Sequence, residues 1–419
     1  MASAATMKSV LFFATAAAAA GPYLAWTADS FTQHEIDNKK PYHYTKAVLY
    51  DGFQSAYALT KNETVLDWYR GRIDERVVLS NGSIANWKPG SYSLDEYRIG
   101  NNILWWYEHT GEEKYKTAAK IIRDELAHHP RTDEGGFVHR HPIYDHQMWL
   151  DGIFMADTFY AKYTSLFDRK NATAWDDIIN QFDVIDRRTR NTTLNLLYHG
   201  FDETKTAVWA HSETGASPLI WSRAVGWYAV ALLEVIQLLP RGHPGIEKLS
   251  NYFISLADGL KNSQDASGGW YLIMDPYYVG NPANYIESSA SALFTFALLK
   301  GTKLGLIPEQ KFFPAAAKGY QKLTDFVTEN ANGTINWEGT VYVGSLNSDA
   351  SFEYYTGVEL AANDYKGVGP FMFASYEWET YNQTKTPGRG HGDPKPPRGG
   401  PKGPRPGRQF NRRFQKTYW

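Results

Sequence analysis

Asp151 is the residue whose neighbours point most directly to chemistry. It stands in the segment Gly135–Ala156, GGFVHRHPIYDHQMWLDGIFMA, after Trp149-Leu150 and before Gly152 and the apolar run Ile153-Phe154-Met155. A carboxyl group among apolar neighbours at a helix start has two readings. It caps or complements the helix N-terminus, which is worth up to about 1–2 kcal/mol. Alternatively, the apolar surroundings disfavour its charge and make it a suitable general acid. Spacing alone leaves both open. Asp95, at the head of Glu96–His109, likewise reads as an N-cap or as a second active carboxylate. His139, His141 and His146 cluster in a loop but lack a partnered H-E-x-x-H-like spacing, so no metal site is expected. Asp176-Asp177 begins a helix of the outer kind and reads as a solvated pair complementing its dipole. No Gly-rich phosphate loop follows a strand, and no serine occupies a G-x-S-x-G elbow. With no cysteine in 419 residues, a disulfide framework, a Cys-ligated zinc and a cysteine nucleophile are excluded.

The elements that must position these groups are helical. Apolar residues recur at three- and four-residue spacing in Tyr44–Leu59, and after a short turn again in Thr64–Val78. The unit returns as Ile103–His109 with Lys114–Leu126, Trp149–Phe167 with Ala172–Ile185, Trp221–Leu239 with Ile246–Leu260, and Ser288–Lys300 with Phe312–Val327. A last helix fits Val368–Tyr376. The turns fall roughly 50–75 residues apart, the mark of stacked supersecondary units rather than separate domains. Six first helices and only five second ones can be counted in a single all-α domain. Several first helices begin with polar and aromatic residues: Asp95-Glu96-Tyr97-Arg98, His146-Gln147-Met148-Trp149 and Trp221-Ser222-Arg223. If first helices form an inner ring, these groups meet at one mouth and line a concave aromatic pocket suited to sugar rings.

Composition bounds the remainder. Hydrophobic content of 43% supports a large core, so wholesale disorder is excluded. The net charge of −2 divides unevenly. Lys385–Trp419 carries ten Lys or Arg against one Asp (+9) and residues 1–20 carry Lys8 (+1), so the body carries −2 − 9 − 1 = −12. An acidic body with a basic tail is not the footprint of a nucleic-acid-binding domain. Residues 1–20, with Lys8 and the apolar run Val10–Ala20, read as a secretory signal, too short to span a bilayer comfortably. Six Asn-x-Ser/Thr sequons, at Asn62, Asn81, Asn171, Asn191, Asn332 and Asn382, agree with a secreted glycoprotein. The expected organisation is a signal peptide over 1–20, a catalytic domain over 21–384, and a disordered Pro/Gly/Arg-rich tail over 385–419. The tail reads as a dispensable extension or as a basic arm for acidic polysaccharide.

Five blocks resemble, in order, glycoside hydrolase family 105, the unsaturated rhamnogalacturonyl hydrolases. They are the Gly135–Ala156 segment; Leu94-Asp95 leading into WWYEHTGEEKY; YHGFDE (Tyr198–Glu203); SPLIWSRAVGWYAVAL (Ser217–Leu232); and NYIESSASALFTFALLKGTKLG (Asn284–Gly305). The likeness runs from about Tyr42 to Tyr376 and implies an (α/α)6 barrel without metal or cofactor. It implies a small lyase-generated oligosaccharide as partner, neither nucleic acid nor membrane, and hydration of the C4=C5 bond of the unsaturated sugar. Asp151 would act as acid and then base. Asp95 would hold sugar hydroxyls and keep Asp151 protonated by like-charge proximity. His199 and His139 would contact the sugar, Trp149 would lie beside it, and Arg223 with Trp221 and Trp227 would wall the anionic ring. Tyr44 corresponds to a family tyrosine. The alternatives are an unsaturated glucuronyl hydrolase on the same fold, and a secreted sugar-binding protein with a dead site. The presence of Asp151, Asp95, His199 and Arg223 speaks against the dead site.

Overall fold

The computed structural model describes residues 22–34 and 44–381. The signal segment, the basic tail and the sequon at Asn382 lie outside the described residues.

Two kinds of helix follow from two hydrophobic patterns. In α1 (Tyr23–Gln33), α3 (Glu63–Arg76), α5 (Glu113–Ala127), α7 (Ala172–Thr189), α9 (Gly245–Asn262) and α11 (Glu309–Thr324), burial is confined to a stripe. In α9, for example, Leu249, Phe253, Leu256 and Leu260 face inward, as an amphipathic surface helix requires. In α2 (Tyr44–Thr60), α4 (Ile99–Thr110), α6 (Leu150–Phe167), α8 (Ser222–Leu238), α10 (Ser288–Lys303) and α13 (Tyr365–Tyr381), burial extends round most of the helix. Every residue of α8 from Ser222 to Leu233 is buried. A helix buried all round must be surrounded by protein, so these six form the inner ring.

Each inner helix packs on the next, α2 on α4, α4 on α6, and so on through α8 and α10 to α13, which returns to α2. The outer partners alternate, giving an (α/α)6 barrel. The sixth outer helix, absent from the sequence count, is α1. It packs against α13 and α2 from the other end of the chain, with Leu24 and Phe31 buried and the Leu24 amide donating to Glu379 at 2.9 Å. Sequence adjacency could not pair it with α13, because the sixth hairpin joins the two ends of the domain. The remaining bounds match within a few residues, with two exceptions. Val327 leaves the helix for a short strand, Val327–Glu329, paired with Ile335–Trp337. Gln147–Trp149 is a strand paired with Gly200–Asp202, and α6 begins at Leu150. Of the described sequons, Asn62 and Asn171 are the N-caps of α3 and α7, Asn81 and Asn332 lie in turns, and Asn191 ends a short strand, Arg190–Asn191.

Beneath the mouth the barrel axis carries an ion cluster. Arg98, only 2% exposed, pairs with Asp51 of α2 and forks to Glu234 of α8 at 3.1 Å through both terminal nitrogens. Its guanidinium lies 3.7 Å from the Phe154 ring centroid. Three inner helices are thus tied by one cation. Arg98→Met keeps the stem and removes the charge. The expected result is a loss of about 3–5 kcal/mol in urea denaturation. The loss should be smaller at pH 5 than at pH 8, because burial lifts the Asp51 carboxyl to about 6 and protonation removes the unpaired charge. An unchanged midpoint would show that the barrel does not need the cluster.

Candidate active site

Asp151 occupies the first turn of α6 and opens into a cavity of about 1110 Å³. Its Oδ2 is 3.0 Å from His199 Nε2, and His199 Nδ1 is 2.7 Å from the Tyr355 hydroxyl. Strand pairing makes this contact. Trp149 is opposite Gly200, and the Leu150 amide donates to the His199 carbonyl at 2.9 Å, so the residues following Trp149 and preceding Gly200 are forced together. Tyr355 reaches His199 from α12 (Phe352–Gly357). A π-helical turn, Ile153–Asp157, begins two residues after Asp151. Such turns are frequent at functional sites.

The charge state of Asp151 differs from the sequence expectation. Burial raises its carboxyl pKa, but the hydrogen bond and electrostatic pull of His199, with a smaller contribution from His139, outweigh burial and hold it below the ordinary value. The like-charge push expected from Asp95 is not among the main influences on Asp151. The Asp95 carboxylate accepts from Arg140 at 2.8 Å and lies 3.7 Å from His139 Nε2, so its charge is met locally. The 139–141 segment is stitched to the turn before α4 by a bridge between Ser93 and Arg140 and by the Leu94 amide on the His139 carbonyl. That stitching gathers Asp95, His139 and Arg140.

Trp149 supplies an aromatic wall. His139 stacks on it at 4.1 Å and 12°, and Tyr144 lies 4.6 Å away on a tilted plane. Burial lowers the His139 pKa, against the raising pull of Asp95 and Asp151, and its Nδ1 has no partner. Tyr44, at the start of α2, also lines the cavity. Burial lifts its hydroxyl well above the usual phenol range, Asp95, Asp364 and Asp151 adding to the rise and Arg223 opposing it.

Four expected contacts are corrected. Trp221, Arg223 and Trp227 do not line the cavity. Arg223 donates to the carbonyls of Val341 at 2.6 Å and Tyr342 at 2.9 Å and lies 3.8 Å from Glu287. The loop it holds covers the start of α8, where Gly344 packs so closely on Trp221 that a Cβ would meet the indole at 2.6 Å. Trp227 is core, stacked on Phe154 at 4.6 Å. His199 is fully buried behind Asp151; it reaches the cavity through that carboxylate.

Asp95, His139, Trp149, Asp151 and Tyr44 do line the cavity, together with residues that sequence reasoning missed: Glu96, Arg140, Tyr144, Lys46 and Lys366. Burial and the neighbouring Asp95 push the Glu96 carboxyl up to about 7, Arg140 opposing. Glu96 and Arg140 were within reach of sequence reading, being chain neighbours of Asp95 and His139. Lys366 had no local signal. The loop histidines do not converge: His141 pairs with Asp145 at 2.6 Å and His146 with Glu203 at 2.8 Å.

Comparison with known proteins identifies the family and the fold. A family described as Glycosyl Hydrolase Family 88 matches residues 23–382. A solved glycoside hydrolase of family 105 from C. acetobutylicum ATCC 824 is 36% identical and superposes with a TM-score of 0.82, covering 86% of this chain and 100% of that one. Unsaturated rhamnogalacturonyl hydrolase YesR of Bacillus subtilis (strain 168) is 27% identical over 262 residues, 61% of this chain and 70% of its own. Protein Atu3128 of Agrobacterium fabrum is 33% identical over 212 residues, 48% of this chain and 89% of its own.

If His199 is what holds Asp151 ionised, His199→Leu removes the main opposition to burial and the Asp151 pKa rises above that of a free carboxyl. A ¹³C-carboxyl titration of the folded variant reads the shift, and an unmoved value would remove His199 as the cause.

Proposed function

The chain belongs to the glycoside hydrolases of families 88 and 105, and from that premise we propose that it removes the unsaturated galacturonyl residue from the non-reducing end of lyase-generated rhamnogalacturonan oligosaccharides. The observation that carries this reading is a carboxyl group open to a large cavity, hydrogen-bonded to a buried histidine and flanked by a stacked indole–imidazole wall. The name of the relative YesR supports the choice of sugar.

The substrate is an enol ether, its C4=C5 double bond conjugated to a carboxylate. Binding an anionic ring displaces water and adds negative charge beside Asp151, and both effects favour its neutral form. The proton passes from Asp151 to C4, the π electrons form the new C–H bond, and the cation left at C5 is stabilised by the ring oxygen. Water adds to C5 and gives its proton to the Asp151 carboxylate, which restores the acid. The hemiketal opens and the glycosidic link then falls apart. His199 holds the reacting carboxyl in place, Asp95 and Arg140 take sugar hydroxyls, and Trp149 with His139 and Tyr144 stacks on the ring. No second carboxylate is needed at the displacement distance of ordinary glycosidases.

A secreted location belongs to the same reading. It is supported by the signal-like segment over 1–20 and by sequons at helix starts and turns. The tail is then an accessory that contacts acidic polysaccharide without entering catalysis.

Turnover is followed as loss of the unsaturated-uronide absorbance, comparing rhamnose-linked with hexosamine-linked disaccharides. The expected preference is for rhamnose, and a preference for hexosamine would favour the glucuronyl alternative. Asp151→Asn is expected to lower kcat at least about 10³-fold with folding and substrate binding retained; a near-normal rate would remove Asp151 from the mechanism. Deletion of residues 385–419 is expected to leave the rate on soluble disaccharide unchanged. A slower rate would give the tail a role in catalysis.

A further inference from the structure

With Arg223 tied to the loop carbonyls, the carboxylate of an unsaturated uronide needs another cation. We infer that Lys366 is the recognition residue for that carboxylate, an assignment that rests on the function proposed above. Lys366 lies in the cavity wall at the second position of α13, and its side chain is 2% exposed. Its Nζ donates to Asp364 at 2.6 Å and lies 5.0 Å from the Tyr342 ring centroid. Both neighbours line the same cavity as Lys366.

This lysine works against its local setting. The first turn of a helix carries partial positive charge and favours anions, and burying an ammonium costs several kcal/mol before pairing. The Asp364 carboxylate offsets that cost with one hydrogen bond. An ammonium has three donors, so two remain for a ligand or solvent. Burial brings its pKa down to about 8, Asp364 opposing and Arg223 adding to the fall, so it is still mainly charged at neutral pH. The other cations are less suited. Arg140 is engaged by Asp95 and by Ser93 at 3.1 Å, and Lys88 is exposed at the mouth. Lys46, buried at the start of α2, lines the same cavity and is the competitor.

The test compares an unsaturated galacturonyl-rhamnose disaccharide with its uronate methyl ester. Wild type is expected to prefer the free acid. Lys366→Gln is expected to raise KM for the acid at least tenfold with a smaller change in kcat, and to abolish the acid-over-ester preference, while Lys366→Arg retains much of it. Lys366→Met, which preserves the packing of the stem, replaces the Gln variant if that does not fold. Retention of the wild-type preference in the Gln or Met variant overturns the assignment. So does Lys46→Gln carrying the loss in its place. A wild-type chain that consumes neither compound overturns the proposed function itself, a result distinguishable from failure of Lys366 alone.

Discussion

The hydrogen bond between Asp151 and His199 is the interaction on which the site depends. A carboxylate removed from water must be paired or hydrogen-bonded, or else it takes up a proton. In this protein the partner is a fully buried imidazole, itself anchored at its other nitrogen by Tyr355. The three groups come from α6, from the loop beside the Gly200–Asp202 strand and from α12, so their meeting requires three separate chain segments to be in register. The Gln147–Trp149 pairing supplies that register, and slipping it by one residue would turn His199 away from Asp151. A short ladder in an all-helical fold thereby has a larger part in the chemistry than its length suggests.

The segment from Val341 to Leu346 divides the helix starts into two groups. It is held by Arg223 from below, by the Tyr354 hydroxyl on the Ser345 amide, and by Trp209 on the Leu346 carbonyl at 2.8 Å. Behind it lie the starts of α8 and α10. In front of it, α2, α6, α13 and the turn before α4 supply the cavity. The mouth carries the carboxylates of Asp95, Asp151 and Asp364, while buried Lys46, Lys366 and the partly buried Arg140 set positive charge among them. Such interleaving suits a sugar with many hydroxyls and one carboxylate, because each polar group has a complement nearby and the aromatic wall accepts the ring face.

Arg98 links this mouth to the barrel axis. It follows the turn that presents Asp95 and Glu96, and its guanidinium is shared by Asp51 and Glu234. Thr158 donates to the Phe154 carbonyl at 2.7 Å and is itself approached by Arg98 at 2.7 Å, at the end of the π turn that follows Asp151. Packing at the axis and the placement of both carboxylates are therefore parts of one network.

Periodicity in the sequence determined the helices, their hairpin pairing and the all-α class, because burial on one face imprints the 3.6-residue repeat, while burial on all faces leaves a long apolar run between turn signals. The acidic-aromatic helix starts marked the mouth, and the family resemblance, not local spacing, singled out Asp151, Asp95, His139 and Trp149 there. Closure of the ring by α1 was not legible, since it joins segments more than 300 residues apart. Nor was the fate of Arg223 and Trp221, which a loop distant in sequence removes from the cavity. The ionisation of Asp151 and the burial of Lys366 at the cavity wall belong to the same class. Electrostatics inside a protein depends on which groups lie within a few ångströms and how far water is excluded, and both are properties of the packed chain alone.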